Sequence, residues 1–147
     1  MKSGVIDTNI LLYAANGDCP ENGRARNFLE TIRGSRGQWF LTEGIFYEFL
    51  RVSTHARVFP RPLQASEALA FLHAVLDVPS LSMISAGPNH LLNLSRVMKG
   101  LHAPVGNLFF DIRTAVLMRE HGIRVIYTAD TDFLQFEEIE VINPLKE

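Results

Sequence analysis

Residues 4–13 read GVIDTNILLY, the pattern of a strand that passes directly into a helix. The small and apolar residues 4–6 predict a short buried strand, and the apolar run over residues 10–13 predicts the first turns of a helix. A polar turn, Asp7-Thr8-Asn9, lies between them. Helices that follow strands in this way cover parallel sheets, in which ligands bind at the carboxyl ends of the strands. The opening residues therefore predict an α/β fold, and Asp7 is its first candidate for a functional residue.

The rest of the chain continues the alternation of strands and helices. Further strands are predicted over residues 38–42, 81–84, 124–128 and 140–143, and further helices over 21–32, 43–53, 64–76, 89–98 and 108–120. Gly122 is predicted to end the last helix, and residues 129–133 are predicted to form a loop. This alternation indicates a mostly parallel sheet covered by helices, and the absence of repeats or long linkers indicates one domain over residues 1–147.

Length and composition are typical of a globular protein that folds without disulfides. The 147 residues suit one domain, 47% of them are apolar, and the single Cys19 cannot form an internal disulfide. No apolar run approaches the roughly 18 residues of a membrane span, and no signal-peptide pattern is present. We therefore expect a cytoplasmic protein that does not associate with membranes.

The net charge of the chain indicates whether nucleic acid is a plausible partner. The chain carries 14 basic and 16 acidic side chains, a net charge of −2, whereas nucleic-acid-binding domains are usually basic. Eleven of the 14 basic residues are Arg, which binds phosphate through two parallel hydrogen bonds. An Arg-rich composition favours an anionic partner and equally a GC-rich gene, so composition leaves both explanations open.

Three acidic residues follow predicted strands. Asp7 comes directly after the first strand, and Asp130 and Asp132 lie just beyond the strand predicted to end at Thr128. An Asp between a strand and a helix is also a common N-cap, worth about 1 kcal/mol, so each of these positions alone has a structural explanation.

Two further acids lie on apolar helices. Glu48 borders the apolar stripe of its predicted helix. A surface ion pair between Glu48 and Arg51 would be a simpler explanation for an acid at this position. Asp111 shares a face with Ala115 and Met118 in the most apolar helix of the chain. A carboxylate on such a face needs a buried Arg partner or a metal ion, because an unpaired buried charge is costly.

One shared cause explains these acids better than separate structural roles. If Asp7, Glu48, Asp111 and Asp130 converge, two carboxylates about 5 Å apart repel by roughly 3 kcal/mol at an effective dielectric of about 20, so cations are needed to hold them together. Carboxylate oxygens suit Mg²⁺ or Mn²⁺, and a carboxylate cage around one or two such ions is a common apparatus for phosphodiester hydrolysis.

Other kinds of catalytic site find no support in the sequence. The spacing of His and Cys does not match a zinc site, and neither a phosphate-binding Gly-rich loop nor a G-x-S-x-G nucleophile motif is present. The five histidines are scattered along the chain. The acids are therefore the best candidates for the chemistry.

The order of these motifs resembles the PIN-domain ribonucleases, and more narrowly the VapC-type toxins of toxin–antitoxin pairs. The resemblance rests on four segments in order: V-I-D-T-N-I-L around Asp7, Y-E-F-L around Glu48, N-L-F-F-D ending at Asp111, and T-A-D-T-D-F from Thr128 to Phe133. D-T-N alone is a weak signal, but the combination in this order is strong and covers residues 4–144.

The resemblance implies a fold, an activity and partners. It implies a three-layer α/β/α sandwich and an endoribonuclease dependent on one or two Mg²⁺ or Mn²⁺ ions, the toxin of a type II toxin–antitoxin system. Members of the family act on RNA, dimerise, and are silenced by a small antitoxin protein. By the same resemblance the catalytic and metal-binding acids are Asp7, Glu48, Asp111 and Asp130, with Asp132 as a further metal ligand, while Asn9 and Thr128 orient the carboxylates.

Two positions depart from the family pattern. Thr131, between the paired acids, is often basic in relatives, and Arg113 stands where many relatives carry other residues. Neither departure removes a metal ligand. Arg113 lies near the expected cleft, and we consider it a candidate contact for a substrate phosphate.

Two alternative functions remain to be distinguished. A phospho-acceptor module would need a Lys at a late strand end, and the strand ending at Thr128 provides none. A catalytically degenerate PIN-like domain that binds RNA or protein is the closer alternative, although the full set of acids argues against it. With five of the 16 acidic side chains assigned to a metal site, the remaining surface has a balance of +3, so the net charge no longer argues against RNA.

Overall fold

The computed structural model describes residues 1–146 as a sheet with helices on both of its faces. Its elements in chain order are β1 Gly4–Ile6, α1 Thr8–Ala15, α2 Asn22–Arg33, β2 Trp39–Thr42, α3 Glu43–Ser53, α4 Ala65–Leu76, β3 Leu81–Ile84, α5 His90–Lys99, α6 Leu108–Glu120, β4 Val125–Tyr127, a 3₁₀ helix Asp132–Gln135, and β5 Glu140–Ile142.

The sheet has the order β3-β2-β1-β4-β5, and all four pairs of neighbouring strands are parallel. Crossovers between parallel strands are right-handed, so α1 to α4, which connect β1 to β2 and β2 to β3, cover one face. The long connection from β3 to β4 runs in the opposite direction and places α5 and α6 on the other face. The predicted three-layer α/β/α sandwich is confirmed.

The strand order reverses between β1 and β4, and we call this place the switch point. Crevices at the carboxyl ends of strands beside such a reversal are where open α/β sheets bind ligands. Here the amide of Asp7, just after β1, donates a hydrogen bond of 2.9 Å to the carbonyl of Tyr127, the last residue of β4. The acids that follow these two strands are therefore neighbours despite their separation in sequence.

Two features of the core hold β1 close to its neighbours. A Cβ atom at Gly4 would lie 2.5 Å from the carbonyl oxygen of Val125, so the approach of β1 to β4 requires glycine at this position. Beside it, the rings of Phe28, Trp39 and Tyr127 pack with centroids 5.1 to 6.4 Å apart. These contacts fix the position of β1 relative to its neighbours, and with it the positions of the acids that follow β1 and β4.

The boundaries of the predicted elements agree with the structure to within one or two residues, with one correction. The predicted loop over residues 129–133 contains the start of the 3₁₀ helix Asp132–Gln135. This turn forms because Phe133 and Phe136 both enter the core, with ring centroids 5.6 Å apart. Gly122 ends α6 with a φ of +68°, as predicted. No helix within residues 1–146 has the length and apolar character needed to cross a membrane.

Candidate active site

Asp7 is a buried carboxylate, only 8% exposed, at the switch point. It is the N-cap of α1, because its Oδ1 accepts a hydrogen bond of 2.8 Å from the amide of Thr8. Its Oδ2 accepts from the hydroxyl of Thr128 at 2.8 Å and from the side-chain amide of Asn9 at 3.4 Å. The N-cap explanation is therefore correct, but it accounts for only one of the two oxygens.

The hydroxyl of Thr128 connects β1 to the turn after β4. Besides donating to Asp7, it accepts from the Asn9 amide and from the backbone N–H of Asp130, each at 3.0 Å. The side-chain carbonyl of Asn9 in turn accepts a hydrogen bond of 3.1 Å from the backbone N–H of Ala129. Both residues predicted to orient the carboxylates thus contact the acids, and Thr128 is completely buried.

The two acids of the final turn have a local arrangement of their own. Oδ1 of Asp130 accepts from the backbone N–H of Asp132 at 3.0 Å, which fixes the start of the 3₁₀ helix. Both residues are exposed to solvent rather than buried in the core. One oxygen of Asp130 is therefore used in a turn before the 3₁₀ helix, and the other takes no part in that contact.

Glu48 on α3 and Asp111 on α6 are brought to the same place from other elements. Each is partly buried. Of the ion pairs within residues 1–146, none joins Glu48 to Arg51 or gives Asp111 a basic partner, so the simpler structural explanations fail for both. We call the five residues Asp7, Glu48, Asp111, Asp130 and Asp132 the acidic cluster.

Electrostatic coupling shows that the acidic cluster is a spatial group. The pKa of Asp111 is raised to about 7, mainly by burial and in addition by the charges of the four other members of the cluster. The pKa of Asp7 is raised to about 6. Burial is the main cause, the hydrogen bonds from Thr128 and Thr8 lower the pKa, and the charges of Glu48 and Asp130 raise it. The pKa of Asp132 is raised by burial and by Asp130.

The donor set fits a hard divalent cation in its chemistry. It consists of carboxylates with uncompensated mutual repulsion, and such oxygen ligands suit Mg²⁺ and Mn²⁺. As placed in residues 1–146, however, no three or more His, Cys, Asp or Glu side chains form a group that could hold a metal ion. The acids are near enough to repel one another, but they do not form a closed coordination shell.

Arg113 does not join the acidic cluster. Its Nη2 donates a hydrogen bond of 2.6 Å to Oε1 of Glu43, the first residue of α3. Its guanidinium lies directly over Gly44, where a Cβ atom would be 2.0 Å from Nη1. The sequence indicates Arg113 as a candidate but neither of its contacts, because neither Glu43 nor Gly44 belongs to a recognisable motif.

Tyr13 also lies near Asp130, and the sequence alone does not single it out. It lies one helical turn after Asn9 on α1, so the two share a face. Burial raises the pKa of its phenol, and the charges of Glu21, Cys19 and Asp130 add smaller increases. Its spacing of four residues from Asn9 is the feature of the sequence that could have indicated this position for Tyr13.

Comparison of the sequence with known families agrees with the geometry. The family model described as PIN domain matches residues 4–139. Ribonuclease VapC33 of Mycobacterium tuberculosis is 31% identical over 146 residues, covering 97% of this chain and 99% of the relative. Ribonuclease VapC25 of the same species is 30% identical over 140 residues, covering 95% and 97%.

Solved structures share the fold at lower identity. VapBC2 from Rickettsia felis, bound to a DNA fragment from its promoter, aligns with a TM-score of 0.66 at 17% identity, covering 97% of this chain and 98% of the other. The Mycobacterium tuberculosis VapC20, described as a Sarcin-Ricin loop cleaving toxin, aligns with a TM-score of 0.63 at 19% identity, covering 92% and 98%.

Proposed function

This chain belongs to the PIN-domain family, and from that membership we propose that it is an endoribonuclease, the toxin of a type II toxin–antitoxin pair. The proposal is carried by the acidic cluster at the switch point, whose members raise one another's pKa. Relatives that cover the whole chain are named ribonucleases, which assigns the activity to the hydrolysis of RNA.

The acidic cluster is proposed to hold one or two Mg²⁺ or Mn²⁺ ions. Asp7, Asp111 and Asp130 are the proposed ligands, with Asp132 beside them and Glu48 holding metal or the attacking water. When bound, the cation supplies an activated water and neutralises charge on the attacked phosphate.

The other residues of the site act on these carboxylates and on the substrate. Thr128 and Asn9 fix the orientation of Asp7 through the hydrogen bonds already described. Arg113 is the proposed contact for an RNA phosphate, since its guanidinium is the basic group that α6 carries two residues beyond Asp111.

Exposed aromatic side chains beside the acids suit an unpaired RNA strand. Tyr47 and Phe110 directly precede Glu48 and Asp111, and they are 72% and 65% exposed. Bases of single-stranded RNA stack on such rings without sequence preference, at about 1–3 kcal/mol per base. The substrate class is therefore RNA with accessible, unstacked nucleotides.

The proposed protein partner is a small antitoxin of the VapB kind, and we also propose a homodimer or higher oligomer. The solved relatives include toxin–antitoxin complexes from Rickettsia felis and Salmonella typhimurium. A short reading frame next to the gene would provide the candidate. Co-expression of that frame should yield a complex that no longer cleaves RNA.

The test of the activity is cleavage of an unstructured RNA by the purified chain with Mg²⁺, with Mn²⁺ and with EDTA. We expect cleavage with either cation and none with EDTA. Glu48→Gln should lose cleavage, whereas Glu138→Gln, a change at an exposed acid that pairs with Arg119 and is not a member of the acidic cluster, should retain it. Cleavage that continues in EDTA would contradict the metal dependence.

Calorimetry with Mn²⁺ distinguishes the ribonuclease from a degenerate binding domain. Saturable binding that is lost in Asp111→Asn, a change at a proposed ligand, supports the enzyme. RNA binding without cleavage, together with no binding of Mn²⁺ at millimolar concentration, would instead favour a domain that has lost catalysis.

A further inference from the structure

Arg113 lies on α6 two residues beyond Asp111, a member of the acidic cluster, but its guanidinium is directed to α3. The acidic cluster carries repulsion that a nearby guanidinium would relieve, and Arg is the residue that pairs most readily with carboxylates. Among the ion pairs of residues 1–146, however, Arg113 is paired with Glu43 and with no member of the cluster. Something in the local structure must hold it there.

Two adjacent residues of α3 provide that restraint. Glu43 fixes Nη2 of Arg113 at 2.6 Å, and Gly44 leaves open the space that the guanidinium occupies. Any side chain at residue 44 would collide with Nη1, 2.0 Å from the position of a Cβ atom. We call Glu43 and Gly44 the arginine seat.

The acid that Arg113 would otherwise meet is Glu48. Gly44 and Glu48 are four residues apart on α3, so they lie on the same face with Cβ positions about 5–6 Å apart. A guanidinium that lies over Gly44 is therefore one side-chain rotation away from Glu48. Arg113 is only about one-third exposed, which limits its alternatives to the groups along this face.

We propose that the arginine seat is a positioning device that holds Arg113 off Glu48, so that the acidic cluster stays open to its cation and the guanidinium stays available to an RNA phosphate. This inference rests on the proposed function, because it presumes that the cluster binds a cation. Without the seat, Arg113 would form an internal ion pair with Glu48 and compete with the metal for that carboxylate.

The decisive variant is Gly44→Ala, because it changes no charge. The added methyl group should displace the guanidinium and raise the Kd for Mn²⁺, measured by calorimetry, by about fivefold, the size of competition from one partly exposed ion pair. Glu43→Gln should have a similar effect. Gly23→Ala is the matched control: Gly23 is also the second residue of a helix, and a Cβ there has nothing within 4 Å.

Combination with Arg113→Gln separates competition by Arg113 from general electrostatics. In the wild-type background, Arg113→Gln should change the Kd for Mn²⁺ by no more than about twofold, because Glu43 already holds the guanidinium away from the acidic cluster. In the Gly44→Ala background it should restore wild-type affinity. If Arg113→Gln strengthens Mn²⁺ binding equally in both backgrounds, the effect is simple charge removal and the inference is wrong.

The remaining outcomes separate this inference from the proposed function. Wild-type binding of Mn²⁺ with no change in Gly44→Ala or Glu43→Gln would overturn the seat and leave the metal site intact. A wild-type chain that binds no Mn²⁺ would overturn both. Circular dichroism melts of each variant show whether it is folded, and Glu43→Gln, a change at an exposed side chain, keeps the inference testable if Gly44→Ala does not fold.

Discussion

Asp7 combines two roles that make different demands on its charge. As the N-cap of α1 it needs only one oxygen to accept from Thr8, which an asparagine also provides. As a member of the acidic cluster it needs a negative charge, although burial raises its pKa to about 6. The two roles can therefore be separated by a single substitution.

We predict that Asp7→Asn abolishes RNA cleavage and leaves the fold intact. The cleavage rate should fall by more than about 100-fold, beyond what loss of an outer hydrogen-bonding partner costs a metal site. The melting temperature should change by only a few degrees, because the removal of a buried charge offsets the hydrogen bonds from Thr128 and Asn9 that an amide NH2 cannot accept. Gel assays of cleavage and thermal melts measure the two effects. Undiminished cleavage by the variant at saturating Mg²⁺ would refute the assignment of Asp7.

Thr128 is the residue on which the hydrogen bonds of the site converge. We predict that Thr128→Val lowers the free energy of unfolding by about 1–3 kcal/mol, because it leaves the partners of a completely buried hydroxyl unsatisfied. Cleavage should fall by about 10–100-fold, since Asp7 loses its orientation. Urea unfolding and cleavage assays measure these effects.

Two variants control for the loss of the Thr128 hydroxyl. Thr128→Ser keeps the hydroxyl and should retain most of both stability and activity. Thr114→Val removes a hydroxyl whose hydrogen bond is the long contact of 3.4 Å to the carbonyl of Phe110, and it should have little effect. Equal effects of the valine variants at 128 and 114 would contradict the special role of Thr128.

At the scale of elements, the spacing of β1 and β4 determines how the acids meet. Gly4→Ala would place a methyl group 2.5 Å from the carbonyl of Val125, so we predict destabilisation by about 1–3 kcal/mol through overpacking. The same change at Gly23, in the open first turn of α2, should stabilise by about 0.5–1 kcal/mol. Thermal melts of the two variants should shift in opposite directions. A Gly4→Ala chain as stable as wild type would show that β1 and β4 can separate freely.

The elements were predictable because local patterns specify them. Apolar runs, caps and turn residues are signals within a few positions, and they placed the strands and helices almost correctly. The 3₁₀ helix Asp132–Gln135 was not predictable in this way, because it depends on Phe133 and Phe136 entering a core built from distant strands. Burial of that kind overrides the polar, loop-like composition of the turn.

The candidate site was predictable only in part, for a related reason. The acids were recognisable from strand ends, helix faces and their resemblance to a family. The pairing of Arg113 with Glu43 joins residues 70 positions apart, and the requirement for Gly44 comes from a side chain on another helix. Such contacts leave no local pattern, so only the three-dimensional arrangement reveals them.

At the scale of the whole molecule, the reversal of strand order explains why a chain of net charge −2 can bind an anion. It concentrates five of the 16 acids at one sheet edge, where a bound cation would neutralise much of their charge. Without a cation, the ionised carboxylates of the cluster repel one another. Its raised pKa values therefore make global stability depend on pH.

We predict that the metal-free protein loses stability as pH rises from about 5 to 8. The pKa values of Asp7 and Asp111 are raised from 3.8 to about 6 and about 7, so the folded state binds more protons than the unfolded state in this range. Their contribution is fully present below the unfolded pKa and is lost as pH rises through the folded values. Melts in EDTA should show the decline.

The same measurement with cation tests the physical cause. Mg²⁺ should raise the melting temperature most at pH 8, where the acids are ionised, and little at pH 5, where the two most perturbed are largely protonated. Asp7→Asn combined with Asp111→Asn should remove both the decline with pH and the effect of Mg²⁺, whereas Glu138→Gln should preserve them. A metal-free melting temperature that rises steadily from pH 5 to 8 would contradict the mutual repulsion of the acidic cluster, and with it the physical basis of the proposed metal site.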